Sequence, residues 1–308
     1  MSSTPSAAIT EHRLPGAGSG PYGITAGPDG ALWFTMNGDG RIGRMTVRGE
    51  HASHQLEPAT CGPTVITAGP DGALWFAQTQ AHRIGRISTD GHASSYPLPT
   101  PEAGPFGVAA GPDGAVWCTE MNANAVARIT PDGEVTEFPL PVTGAFPSMI
   151  AAGPDGALWC TLNQANAIGR ITTGGEAVLF PLPTPAAGPV GIAAGPDGAL
   201  WFVEIGAGQV GRVTTDGHIT EFPLPDRAAR PHAITTGPDG ALWFTEWGAN
   251  RVGRISVDGD VDGYPLPSPG SEPHGIAPGP DGALWVALES GALARVAPGA
   301  GDPGPAPR

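Results

Sequence analysis

Basic side chains are scarce in this sequence: 15 Lys plus Arg face 29 Asp plus Glu, for a net charge of −14. A surface that neutralises nucleic-acid phosphates needs the opposite balance, so no nucleic-acid partner is expected. Long hydrophobic runs are missing too. No stretch approaches the roughly 20 apolar residues of a membrane-spanning helix, and no membrane association is expected. Long helices are equally out of reach, because 48 Gly and 36 Pro interrupt the chain and the longest stretch free of both is Ala115–Thr130. Each interior Gly costs a helix about 1 kcal/mol and each Pro about 3, relative to Ala. Cysteine is limited to Cys61, Cys118 and Cys160, an odd number at no metal-ligand spacing. The opening residues, Met1–Ile9, have neither the basic nor the apolar region of a secretory signal. A reduced, cytoplasmic setting is the expectation.

An aperiodic chain with about 27% Gly plus Pro would be read as low-complexity or disordered. A strict period overturns that reading. Gly-Pro-Asp-Gly begins at 27, 69, 111, 153, 195, 237 and 279, always 42 residues apart. Trp33, Trp75, Trp117, Trp159, Trp201, Trp243 and Trp285 follow at a constant offset. Cys118 and Cys160 each stand directly after one of these tryptophans, where most repeats have Phe, so they read as small core side chains.

Each unit has the pattern of short strands. In the sixth, Ala233–Thr236 is apolar, Gly237–Gly240 is a tight turn, and Ala241–Thr245 carries the Trp. Val252–Ser256 and Asp262–Leu266 complete four strands. Four strands per unit of about 40–45 residues predict an all-β fold, a seven-bladed β-propeller with antiparallel blades. The last unit stops near Gly301 before its own fourth strand, and Thr10–Leu14 has the pattern of that strand. The N-terminal strand is therefore expected to close the last blade. Residues 9–301 form one domain in this reading, with tails at 1–8 and 302–308. A closed ring leaves no sheet edge that needs a partner, so a monomer is expected.

A regular repeat offers no special place for chemistry; the informative positions are its exceptions. The inner strand of each blade starts at a recurring proline. The residue after that proline reads Tyr22, Thr64, Phe106, Ser148, Val190, His232 and His274. The residue before it reads Gly20, Gly62, Gly104, Phe146, Gly188, Arg230 and Glu272. Four past the repeat Trp come Asn37, Thr79, Met121, Asn163, Ile205, Trp247 and Glu289. All three positions share one face beside the channel. Blades six, seven and one therefore gather His232, Glu272, His274, Glu289 and Tyr22 there. A lone His or Glu is usually surface or filler, and His51, His54, His82, His92 and His218 are read that way. Glu120, Glu204 and Glu246 stand one residue earlier in their strands, so alternation turns them away, to structural or supporting duty.

Two carboxylates beside a neutral imidazole suit a hard ion such as Mg²⁺, which takes few protein oxygens and keeps its waters. Zinc lacks a Cys or a third clear His. A His near its ordinary pKa is a natural general base. These residues point to metal-assisted proton abstraction or to hydrolysis in the channel mouth.

The blade phrase Leu242-Trp-Phe-Thr-Glu-(x)-(x)-Ala-Asn-(x)-(x)-Gly-Arg-Ile255 and three site phrases carry a further signal. The site phrases are Gly20-Pro-Tyr-Gly-Ile24, Arg230-Pro-His-Ala-Ile234 and Glu272-Pro-His-Gly-Ile276. Over residues 9–297 the chain resembles the streptogramin B lyases, the virginiamycin B lyase family. The resemblance implies a Mg²⁺-dependent carbon–oxygen lyase that inactivates type B streptogramins, cyclic depsipeptide antibiotics. The lactone would open at its ester bond by elimination, not hydrolysis, leaving a phenylglycine carboxylate and turning the threonyl into 2-aminobutenoic acid. It implies His274 as general base, Glu272 and Glu289 as metal ligands, His232 as a substrate contact or acid, and Tyr22 lining the site. Blade seven departs from the phrase after Ala287-Leu-Glu289-Ser290. A propeller that only binds a ligand, or one that hydrolyses a lactone, is the alternative.

Overall fold

Seven four-stranded antiparallel sheets surround a central channel. They are described here for residues 7–16 and 20–299 of a computed structural model. Among these residues the only helical pieces are three single 3-10 turns. Blade six comprises Pro231–Thr236, Leu242–Glu246, Arg251–Ile255 and Val261–Pro265, from the channel outward. Its second strand is buried at all five positions, because adjacent blades cover both of its faces and alternation is not needed.

The core lies between blades. At the junction of blades six and seven, Trp243 and Val252 pack with Ile276, Leu284 and Val286. Each repeat Trp is anchored by the Asp of its Gly-Pro-Asp-Gly turn. Asp29 accepts from Trp33 Nε1 at 3.0 Å and from Arg44 Nε at 2.7 Å, and the same clamp recurs up to Asp281, Trp285 and Arg295. An aromatic ring from the outermost strand covers the indole, as Tyr96 does for Trp75 at 5.3 Å. The first glycine of the turn is required by this approach. A Cβ on Gly27 would lie 2.4 Å from Trp33 Cδ1.

Closure occurs as the sequence predicts, with shifted limits. Ala7–Arg13 pairs antiparallel with Ala292–Pro298, from Ala7 opposite Pro298 to Arg13 opposite Ala292. The strand thus takes in Ala7 and Ala8, which the sequence reading assigned to a tail. Backbone pairing carries the ladder past the last apolar signal, because the partner strand itself runs to Pro298. The expected tail at 302–308 lies outside the described residues, as does the end of the domain beyond Gly299. Glu11 fixes the seam by accepting from Ser268 N–H at 3.1 Å and from its hydroxyl. Glu137 with Thr100 and Glu221 with Thr184 make the same inter-blade clamp inside the chain. The three cysteines are buried and unpaired. No helix among the described residues is long and apolar enough to cross a membrane.

Candidate active site

Each inner strand begins with a β-bulge. In blade six, Pro231 pairs with Glu246 and Ile234 with Phe244, so three steps on one strand match two on the other. The same irregularity occurs at Pro21–Ile24 and Pro273–Ile276. A bulge re-aims side chains and leaves an amide outside the ladder. Here it carries Tyr22, His232 and His274, the three ring residues that the sequence marks as exceptional. In blade six the freed Ala233 N–H donates to Thr245 Oγ1 at 3.0 Å, and Thr245 Oγ1 donates to His274 C=O at 2.8 Å. One buried hydroxyl thus ties the backbones of the two histidine segments together. Thr35, Thr119 and Thr161 bridge other blades in the same way.

The rings converge. Tyr22 and His274 lie with centroids 4.5 Å apart and tilted by 31°, and His232 stands edge-on to His274 at 4.9 Å. Tyr22 Oη is 3.4 Å from His232 Nε2. Phe106 meets Tyr22 edge-on at 6.1 Å. Tyr22, Phe106 and His232 border a cavity of about 160 Å³ whose walls also include Ile24, Ile66, Val108, Ile192, Ile234 and Ile276. On the outer side, His274 Nε2 is 2.8 Å from Glu289 Oε2. His274 is 9% exposed, whereas the Glu289 side chain is 49% exposed, so the pair spans from channel wall to solvent. His274 Nδ1 is closed off without a partner, which makes Nε2 the nitrogen that faces the mouth.

Blade seven reaches this geometry through a shorter connection. Its Asp281–Arg295 clamp spans 14 residues where the other six span 15. The missing residue lies in the loop that begins at Glu289. That loop is tied to the start of the inner strand by Glu289 N–H donating to Glu272 C=O at 3.1 Å. Glu272 is exposed at φ 52°, and its side chain makes no hydrogen bond or ion pair among the described residues. Four of the five predicted site residues therefore touch one another, while Glu272 stands on the adjoining loop. The predicted exclusion of Glu120, Glu204 and Glu246 matches the structure: all three are fully buried. Sequence reasoning passed over Thr245, whose partners are remote in the chain; its recurrence two residues after the Trp in four blades was the available signal.

Electrostatics separates the roles. Burial, and secondarily the neighbouring His274, pushes the His232 pKa down to about 3. Burial, and then the Glu289 charge, holds the Tyr22 phenol well above its ordinary value. Near neutral pH both are uncharged hydrogen-bonding groups. His232 then has no imidazolium proton to give. As for a metal, no three His, Cys, Asp or Glu side chains converge among the described residues. Glu272 and Glu289 on tied loops offer only carboxylate oxygens beside open solvent. That donor set fits a magnesium-type ion, which takes one or two carboxylates and keeps several waters.

Known proteins share this fold. Virginiamycin B lyase from Staphylococcus aureus, in selenomethionine form, superposes with a TM-score of 0.92 at 43% identity, covering 95% of this chain and 99% of that one. A catalytically inactive variant of the same enzyme, solved with quinupristin, gives the same values. The virginiamycin B lyase of Saccharopolyspora erythraea is 63% identical over 42 residues, a match that spans 14% of each chain. The model of the Virginiamycin B lyase family matches residues 7–296, and the chain belongs to that family.

Proposed function

We propose that this protein is a carbon–oxygen lyase that linearises type B streptogramins at the ester bond without adding water. The observation that carries the reading is the contact of His274 Nε2 with Glu289 at the mouth, flanked by the uncharged Tyr22 and His232. The quinupristin found with the S. aureus relative supports a cyclic depsipeptide as substrate.

His274 Nε2 is the base. A carboxylate cannot donate, so in the observed contact Nε2 carries the proton and Glu289 accepts it. For Nε2 to take a proton from the threonyl Cα, Glu289 has to turn away and the remaining proton has to sit on Nδ1. The Cα–H electron pair then forms Cα=Cβ, and the Cβ–O bond breaks. Its electrons leave with the phenylglycine carboxylate, and the proton stays on His274. Neutral Tyr22 and His232 can hold substrate amides without competing for that proton. Thr245 fixes where His274 stands. An α-proton is far less acidic than imidazolium, so stabilisation of enolate-like charge has to lower most of the barrier. Mg²⁺ held by Glu272 and Glu289 would supply that stabilisation as a Lewis acid at the carbonyl beside Cα.

Elimination creates an α,β-unsaturated amide, which can be followed by its new ultraviolet absorbance during incubation with quinupristin. Absorbance should rise, stop on chelation and resume when magnesium is added. A rise indifferent to chelator would remove Glu272 and Glu289 as metal ligands, and no rise at all would contradict the lyase reading.

A further inference from the structure

Blade six breaks the repeat at three places on the active face: Arg230, His232 and Trp247. His232 belongs to the channel mouth, and the other two form a feature beside it. The Arg230 guanidinium lies over the Trp247 indole, 5.5 Å from its centroid. Trp247 N–H donates to Arg230 C=O at 3.2 Å, which ties the two loops. Arg230 adopts φ 49°, a left-handed conformation that blades one, two, three and five fill with Gly20, Gly62, Gly104 and Gly188. A side chain there is strained. Trp247 Nε1–H is shut off from solvent with no acceptor among the described residues, a second local cost. Two broken local preferences at one spot on the active face mark a position kept for a purpose other than stability.

Charge indicates the purpose. In blade six and the loop leading to it, Arg251 pairs with Glu246, Arg254 with Asp239 and Asp262, and Arg227 bonds Gln209. Arg230 alone is exposed with a guanidinium that has neither a hydrogen bond nor an ion pair among the described residues. On the neighbouring blade, Glu272 and Glu289 make the rim acidic. The cation–π contact with the indole steadies the guanidinium, whose N–H groups have no hydrogen-bond acceptor among the described residues. That is the arrangement which grips a carboxylate with two parallel hydrogen bonds.

We propose that Arg230, braced by Trp247, is a carboxylate-binding element that receives the acid released when the ester opens. This rests on the lyase reading above. As the Cβ–O bond breaks, its electron pair remains on the departing oxygen, and a new anion appears at the rim. Arg230 donates to that anion; the proton from Cα remains on His274. The intact lactone has no such charge, so Arg230 acts on the leaving group and the product more than on the substrate. Its loss should lower kcat more than it raises KM.

Arg230→Gly tests this cleanly, because glycine is the native solution at this position in four blades. The variant should fold and melt at or above the wild-type temperature. N-acetylphenylglycine and its neutral primary amide are titrated calorimetrically into the full chain in EDTA. Wild type should prefer the acid by about 10-fold or more, Arg230→Gly should bind both alike, and Arg230→Lys should fall between. Equal affinities in wild type, or undiminished acid affinity in Arg230→Gly, would overturn the proposal. The titration needs no turnover. Acid selectivity without any reaction on quinupristin would therefore remove the lyase reading and leave the carboxylate site standing.

Discussion

Two kinds of acid can be told apart residue by residue. Glu289 reaches solvent and meets a histidine. Glu120 and Glu204 are sealed between strands, and burial first of all pushes each carboxyl from 4.5 up to about 8. Glu137 beside the first and Glu221 beside the second add to the rise. Neither Glu120 oxygen has a hydrogen-bond partner among the described residues, so burial with the Glu137 charge nearby keeps Glu120 neutral. The sign follows from linkage. Between about 4.5 and about 8 the unfolded chain ionises these groups while the native state keeps them protonated. Native stability is therefore fullest below the lower value, falls as pH rises through the window and levels off above it. Urea midpoints should drop across this range, and Glu120→Gln should flatten the slope by more than about 1 kcal/mol over the window. A midpoint that rises with pH, or a slope untouched by the substitution, would contradict the neutral assignment.

The bulge at the start of each inner strand is the element that turns a structural repeat into a site. It lifts Tyr22, His232 and His274 toward one mouth and frees an amide that Thr245 recovers. Thr245→Val should leave Ala233 N–H and His274 C=O unpaired and cost about 1–3 kcal/mol. It should also reduce turnover by displacing His274. Thr245→Ser keeps the hydroxyl and should restore both. A loss in the Ser variant with none in the Val variant, by denaturation and by rate, would show that the methyl group and not the bridge matters. Blade number, strand order and the sector holding Tyr22, His232, His274 and Glu289 were legible in the sequence, because a fixed 42-residue spacing converts offset into position. The bulge and the Thr245 bridge were not, since they depend on pairing between strands of adjacent blades. The strand limits were off because the ladder continues through Ala7 and Ala8, whose side chains show no pattern. The shortened blade-seven loop was readable in principle, as an Arg one residue early after its Trp.

At the scale of the molecule, the active sector lies across the seam. Tyr22 comes from the first blade, and His274 and Glu289 from the last, whose outer strand is the N-terminal Ala7–Arg13. Fold closure and site assembly are thus one event. Removing residues 1–13 should strip the outer strand from blade seven and lose the Glu11–Ser268 clamp. Unfolding should become less cooperative, with turnover falling in parallel. A truncated chain that melts sharply at the wild-type temperature would contradict this coupling. The central question for this protein is whether the ester opens by elimination at His274. The most direct measurement is the mass of the linear product formed from quinupristin in ¹⁸O-labelled water, with wild type and His274→Ala side by side. Wild type should give a product of the same mass as the substrate with no label, and the variant, folded, should be slower by about 10²-fold or more. A product heavier by one labelled water, or an undiminished His274→Ala, would contradict it.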